Sequence, residues 1–91
     1  MLAKRIIMKP SCSGSNNVQE IDMIFIDGCS EPGYFKKEVI HDYLKTSPRS
    51  IQVNISPYPY LIAKKSKSGE KYVASEPNDT PYDNLLKLPR F

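Results

Sequence analysis

The sequence contains little of what a catalytic or metal centre is usually built from. Its 91 residues include one histidine, His41, and two cysteines, Cys12 and Cys29. These side chains lie 17 and 12 positions apart, without the C-x-x-C or H-x-x-x-H spacing of a structural zinc site. The sequence also lacks a glycine-rich phosphate loop and any nucleophile-elbow signature at either cysteine. We therefore expect a protein that is not an enzyme and that needs no cofactor and no metal.

Long apolar runs are absent as well. The apolar residues 6–8 follow Lys4 and Arg5, but this stretch is far too short for the core of a signal peptide. The sequence has no run near the roughly 20 residues that a membrane-spanning helix needs. We expect a cytoplasmic protein that does not bind membranes. In that reducing compartment Cys12 and Cys29 are expected as free thiols, with a disulfide across the first two strands as the alternative.

The composition is that of an ordinary globular domain. Hydrophobic residues make up 40% and charged residues 25% of the chain, which argues against wholesale disorder. The length suits one small domain, residues 1–91. The formal charge is +3. Residues 1–45 hold six basic and six acidic side chains, whereas residues 46–91 hold seven and four, so the basic excess lies in the second half.

Hydrophobic periodicity predicts several strands and one helix. The strand-like segments are residues 4–8, 18–26, 51–55, 60–65 and 71–75. Between the second and third of them, apolar side chains recur at helical spacing: Phe35, Val39, Ile40, Tyr43 and Leu44. The order predicts an α+β fold. We expect a small, curved antiparallel sheet of about five strands (β-β-α-β-β-β), one helix packed on one face and a short C-terminal helical turn.

The charged residues of the predicted helix should face solvent. They are Lys36, Lys37, Glu38, Asp42 and Lys45. His41 falls beside this polar side, so it is expected to be a partly exposed helix residue with no special role. Ser47 and Pro48 should end the helix, because proline lacks an amide hydrogen and disfavours helical geometry before it.

The last third of the chain carries the clearest local signals. Residues 66–70 form a basic, glycine-containing turn that predicts a hairpin between the last two strands. Thr80 and Pro81 match the start of a helical turn over residues 82–88. That turn should lay three leucines against the domain: Leu85, Leu86 and Leu88.

This C-terminal segment resembles a known family. The segment that carries the resemblance reads K-Y-V-x-S-x-P-x-D-T-x-x-D-N-L-L-x-L-P, from Lys71 to Pro89. It resembles a family of small bacterial and phage proteins catalogued as domain of unknown function 3892. The chain departs from the family pattern at Ala74, where arginine is usual, at an inserted Asn78, and at its last two residues, which replace a cysteine. The resemblance implies a fold and a bacterial or phage setting, without an activity.

Protein binding is the function that these observations favour. A chain without catalytic motifs can act through an exposed edge strand or through self-association. We therefore expect a small interaction module that binds a partner protein or its own copies. In the phage or mobile-element setting that the resemblance implies, it would bind and inhibit a host protein.

A small anionic ligand such as a nucleotide is the alternative. Tyrosines and basic side chains are concentrated in the second half, and such residues can stack on bases and hold phosphates. The candidate ligand-binding residues are Tyr60, Lys64, Lys65, Lys67, Lys71, Tyr72 and Arg90. The lysines also fit a merely solvated turn. The mild charge and the lack of a ribonucleoprotein-type aromatic pattern disfavour nucleic acid as the partner. Cysteine-dependent catalysis by Cys29 is a third, weaker hypothesis.

Overall fold

The computed structural model describes residues 1–76 and 83–90. Six strands and one α-helix occur in them, in chain order β1 Leu2–Met8, β2 Ile21–Asp27, β3 Gly33–Lys36, α1 Lys37–Thr46, β4 Gln52–Val53, β5 Leu61–Lys65 and β6 Lys71–Ser75. Two 3₁₀ turns accompany them, Val18–Glu20 and Asn84–Lys87. The predicted α+β class is confirmed. Within the same residues, no helix is long and apolar enough to cross a membrane.

The strands form two sheets rather than the single sheet predicted. Four strands pair in the order β3-β2-β1-β4, and β5 pairs with β6 alone. The larger sheet is mixed, because β4 runs parallel to β1. One isolated bridge, Gln52 to Tyr60, links β4 with the start of the hairpin. Pro57 and Pro59 lie between the two residues of this bridge and have no amide hydrogen to donate, which limits further pairing between β4 and the hairpin.

Strand β3 was missed by the sequence pattern. It pairs antiparallel with β2, so that Phe25 lies opposite Tyr34 and Ile24 lies opposite Phe35. Phe35 belongs to the predicted helical stripe, but the helix begins only at Lys37. Four residues are too few for periodicity to reveal a strand, and pairing with central strand β2 decides the local conformation.

The helix buries a face that only partly matches the predicted one: Ile40 and Leu44 are buried as expected, whereas Val39 and Tyr43 are not. Its buried residues are Lys37, Ile40, His41 and Leu44, at the spacing of a single stripe. Val39 is 56% exposed and Tyr43 is 42% exposed. The expectations that Lys37 would face solvent and that His41 would be partly exposed are wrong: they are 2% and 3% exposed. The reason is that α1 contacts β5 and β6 as well as β2 and β3, so both sheets cover it.

The C-terminal hairpin and the leucine tail agree with the sequence. The turn between β5 and β6 contains Gly69 at a φ of +91°, a conformation that glycine adopts readily. Three tail leucines are buried in the core: Leu85, Leu86 and Leu88. Asp83 caps the second 3₁₀ turn by accepting a hydrogen bond from the Leu85 amide at 2.9 Å. The predicted helix start at Thr80 and Pro81 lies outside the described residues.

Candidate functional site

The structure brings five of the seven predicted ligand-binding residues to the tip of the hairpin. In the β5–β6 register Lys64 lies opposite Tyr72 and Lys65 lies opposite Lys71, and Lys67 is exposed in the connecting turn. Lys71 forms a solvent-exposed ion pair, with its ammonium 2.8 Å from an Asp42 carboxylate oxygen. This ion pair also lowers the pKa of Asp42.

The other two predicted ligand-binding residues lie elsewhere. Tyr60 precedes β5, at the end of the hairpin remote from the turn, and the Arg49 guanidinium lies 4.3 Å from its ring centroid. Arg90 donates to the carbonyl oxygens of Ser13 at 2.7 Å and Leu86 at 3.0 Å. Arg90 therefore fixes the chain end to the β1–β2 loop. A site for an anion at these residues stays a prediction, now limited to the lysines of the hairpin tip.

Both cysteines are free thiols in the structure. The Cys12 thiol donates to a Glu20 carboxylate oxygen at 2.9 Å. That contact raises the pKa of Cys12 and lowers the pKa of Glu20. Because the thiolate is the nucleophilic form, this environment makes Cys12 less reactive. Across residues 1–76 and 83–90, no three His, Cys, Asp or Glu side chains lie close enough together to hold a metal ion.

A buried lysine joins four segments of the chain. The Lys37 ammonium donates to the Gln19 carbonyl at 2.6 Å and to Glu70 at 2.7 Å, and Lys9 approaches the same Glu70 oxygen at 2.6 Å. We call Lys9, Gln19, Lys37 and Glu70 the Lys37 cluster. Its two ammonium groups lower the pKa of Glu70 to about 2. The cluster links the end of β1, the first 3₁₀ turn, the start of α1 and the hairpin turn, so its role is structural.

An apolar cleft opens between α1 and the end of the four-stranded sheet. It has a volume of about 170 Å³. Strands β2 and β3, helix α1 and the loops beside them contribute its lining: Met1, Ile26, Cys29, Phe35, Val39, Ile40, Tyr43 and Ile51. These described residues present only apolar surface to the cleft. The same lining explains the two exposed apolar residues of α1, since Val39 and Tyr43 form part of the cleft wall.

The size and lining of the cleft define what it can hold. Small-molecule sites are usually about 300–1,000 Å³ with a few polar groups that orient the ligand, so 170 Å³ of apolar cleft is too small and too uniform for a nucleotide. A cavity of about 150 Å³ lined by aliphatic and aromatic groups takes up benzene. The apolar cleft therefore suits one ring-sized or branched apolar side chain.

The sequence contained a signal for this cleft that periodicity alone misread. The predicted stripe paired Val39 with Ile40 and Tyr43 with Leu44. Adjacent residues on a helix lie about 100° apart, so a stripe that includes both members of each pair is wide. In the structure Ile40 and Leu44 are buried, whereas Val39 and Tyr43 are exposed. A wide apolar stripe on a short helix thus indicates a second apolar surface beside the one that faces the core.

Comparisons with known proteins identify a family and nothing more specific. A family model described as "Protein of unknown function (DUF3892)" matches residues 6–89. A search of curated proteins and a search of solved structures each found no match. The match runs from the middle of β1 to Pro89 and so includes the cleft walls on α1, β2 and β3.

Proposed function

The chain belongs to the family of proteins of unknown function DUF3892, and on that premise we propose that it is a non-enzymatic module that binds a partner protein through the apolar cleft. The observation that carries the proposal is the cleft itself, with Val39 and Tyr43 exposed on its wall. Exposed apolar surface that continues into a cavity is typical of protein-binding sites.

The rim of the cleft favours a protein over a small molecule. A small molecule of the size of one ring or branched side chain would fill the cavity, but the exposed faces of Val39 and Tyr43 would remain in contact with solvent. A partner surface covers both at once, because it inserts one anchor residue and excludes water around that anchor. Tyrosine is also among the residues enriched at such contacts. The occupant we propose is a segment of another protein with an aromatic, leucine or methionine anchor.

Binding of this kind would act by occupying the partner's surface. In the bacterial or phage setting that the family resemblance suggests, the partner would be a host protein and the effect would be inhibition. The cleft requires no chemistry on the partner, which fits an inhibitor that blocks a surface. A second copy of this chain is the competing occupant, and it would appear as a dimer.

Replacing Val39 by glutamate should strongly weaken binding at the cleft. Peptides would be selected against the wild-type protein from a displayed random library, and affinities of the winners measured by fluorescence anisotropy. We expect the winners to share an aromatic, leucine or methionine residue, and Val39→Glu to weaken their binding by at least about tenfold, because a carboxylate at the wall must lose hydration when the anchor enters.

The matched control is Lys45→Gln. Lys45 is an exposed residue of α1 that does not line the cleft, and its substitution makes the same change of net charge as Val39→Glu. Unchanged affinity in Lys45→Gln supports the cleft. The proposal would be refuted if the selected peptides bound Val39→Glu and Lys45→Gln with equal affinity, or if they lacked an apolar anchor residue. A concentration-dependent dimer that Val39→Glu dissociates would instead assign the cleft to a second copy.

A further inference from the structure

One face of the four-stranded sheet carries a row of aromatic and basic side chains. Ile26 and Phe35 line the cleft beside α1. Because side chains alternate along a strand, their neighbours Phe25 and Tyr34 point to the opposite face. We call this the outer sheet face. The Phe25 and Tyr34 rings meet edge to face, with centroids 5.2 Å apart.

Strand β1 adds basic groups to the same face. Arg5 lies opposite Phe25 in the register, and its guanidinium is 5.5 Å from the Phe25 ring centroid. A register shift between Ala3 and Arg5 leaves Ala3 in the core and places Lys4 beside Arg5. Lys4 bonds Asp27 on the neighbouring strand at 2.7 Å. An irregularity of this kind re-aims side chains, and here it groups two cations on one face.

A second row lies next to the first. Ile7, Met23 and Lys36 align across β1, β2 and β3. None of the residues that we assign to the outer sheet face is buried, and Arg5 and Lys36 are exposed. On the inner side of β1 and β2, by contrast, Ile6, Ile24 and Ile26 are buried. The outer sheet face is thus a solvent-accessible platform of rings, aliphatic groups and cations.

We propose that the outer sheet face binds single-stranded nucleic acid. Bases stack on aromatic rings whatever their sequence, while lysine and arginine hold the phosphates between them. Tyr34 and Phe25 provide the rings, and Arg5, Lys4 and Lys36 surround them. The charged residues that we assign to this face are three basic ones, Lys4, Arg5 and Lys36, and one acidic one, Asp27, which is bonded to Lys4, so these described residues together carry a net positive charge. That charge favours a polyanion over a protein segment of ordinary composition.

This assignment differs from the expectation that the sequence supported. The mild total charge and the missing ribonucleoprotein pattern disfavour nucleic acid, and the sequence places its candidate ligand-binding tyrosines in the second half. The platform instead comes from the first 36 residues, where basic and acidic residues balance in number. Strand pairing concentrates three cations on one face, which the linear count cannot show. The inference is independent of the apolar cleft, which lies on the other face of the sheet.

Binding can be measured by fluorescence anisotropy with labelled oligothymidine and oligouridine of about 12 nucleotides. We expect micromolar affinity at about 50 mM salt. A plot of the logarithm of the association constant against the logarithm of the salt concentration should have a slope of about −2, since three cations would contact phosphates. Tyr34→Ala should reduce the affinity about tenfold or more, because a stacking surface is lost. Tyr34→Trp should retain binding, since it keeps a stacking ring.

Two controls separate stacking from general electrostatics and from misfolding. Tyr60→Ala removes a tyrosine that lies outside the four-stranded sheet and should leave the affinity unchanged. A thermal melt of Tyr34→Ala verifies that the domain remains folded. No saturation at about 100 μM protein in low salt, or equal losses in Tyr34→Ala and Tyr60→Ala, would overturn the proposal. The proposal would also be overturned if neither oligonucleotide bound and peptides selected against the protein required Tyr34 for binding, because the outer sheet face would then bind protein.

Discussion

Removing every residue after Ser75 is expected to abolish cooperative unfolding of the domain. The deletion exposes the core that Leu85, Leu86 and Leu88 cover. Burial of each such side chain contributes about 1.5–3 kcal/mol, so together they approach the 5–15 kcal/mol that stabilises a typical domain. The deletion also removes the Pro89 carbonyl, which accepts from the Ile6 amide at 2.9 Å, and the Asp83 carboxylate, which accepts from Ser75.

The measurement is thermal unfolding followed by circular dichroism. A point version keeps the chain length constant: Leu85→Ala should cost about 2–5 kcal/mol, because it leaves a cavity at a fully buried position. Lys87→Ala is the matched control, since Lys87 is an exposed residue of the same 3₁₀ turn, and its midpoint should hardly move. A truncated chain with the wild-type midpoint would contradict the claim that the tail is part of the core.

Glu70→Gln should be the most damaging single substitution of a charged residue. It removes the negative charge that faces the buried Lys37 ammonium and leaves that ammonium with neutral acceptors only, the Gln19 carbonyl at 2.6 Å and the glutamine amide oxygen. Breaking a fully buried ion pair costs about 3–5 kcal/mol. Glu70 is 34% exposed, and solvent therefore screens part of the interaction, so we expect a loss of about 1–3 kcal/mol.

The Lys37 cluster also predicts how stability depends on pH. The pKa of Glu70 falls from 4.5 unfolded to about 2 folded, so the folded state holds the carboxylate charged where the unfolded chain would protonate it. The stabilisation is complete above pH 4.5 and is lost as pH falls from there toward 2. Urea unfolding across this range should show the wild type losing stability more steeply than Glu70→Gln.

A double mutant isolates the cause. In Lys37→Met/Glu70→Gln no buried ammonium is left without its carboxylate, since the remaining Lys9 ammonium is 37% exposed, so the double mutant should be more stable than Glu70→Gln alone. Lys9→Met is the comparison for an exposed member of the cluster, because Lys9 is 37% exposed, and it should cost less than Glu70→Gln. If the double mutant's loss in free energy of unfolding equals the sum of the losses in the two single mutants, Lys37 and Glu70 do not act as a pair.

Local signals predicted the parts of the fold that depend on nearby residues. The β5–β6 hairpin follows from two alternating segments around a glycine turn, and its register aligns Leu61 with Ser75. The leucine tail was recognisable because Leu85, Leu86 and Leu88 follow a capping segment. In each case the residues that decide the structure lie within about 20 positions of one another, which is the range that periodicity and turn chemistry can report.

Distant contacts decided the features that the sequence could not show. Lys37 is buried because Glu70 and Gln19 meet it from other segments, and His41 is buried because the hairpin covers α1 and places the Tyr72 carbonyl 3.0 Å from its ring nitrogen. Strand β3 exists because β2 is available to pair with it. The apolar cleft is a consequence of the same arrangement, since Phe35 lies on β3 and Tyr43 on α1.

Crosslinking from the cleft is the most direct test of the proposed protein binding. A photoreactive phenylalanine analogue would replace Tyr43 in one variant and Lys64, an exposed residue on the hairpin, in the other. After crosslinking in cells, the purified products would be analysed by native mass spectrometry. We predict one discrete protein adduct from position 43 that disappears with Val39→Glu and is absent from position 64. Equal adducts from both positions, or a bound nucleotide mass with no protein adduct, would contradict the account.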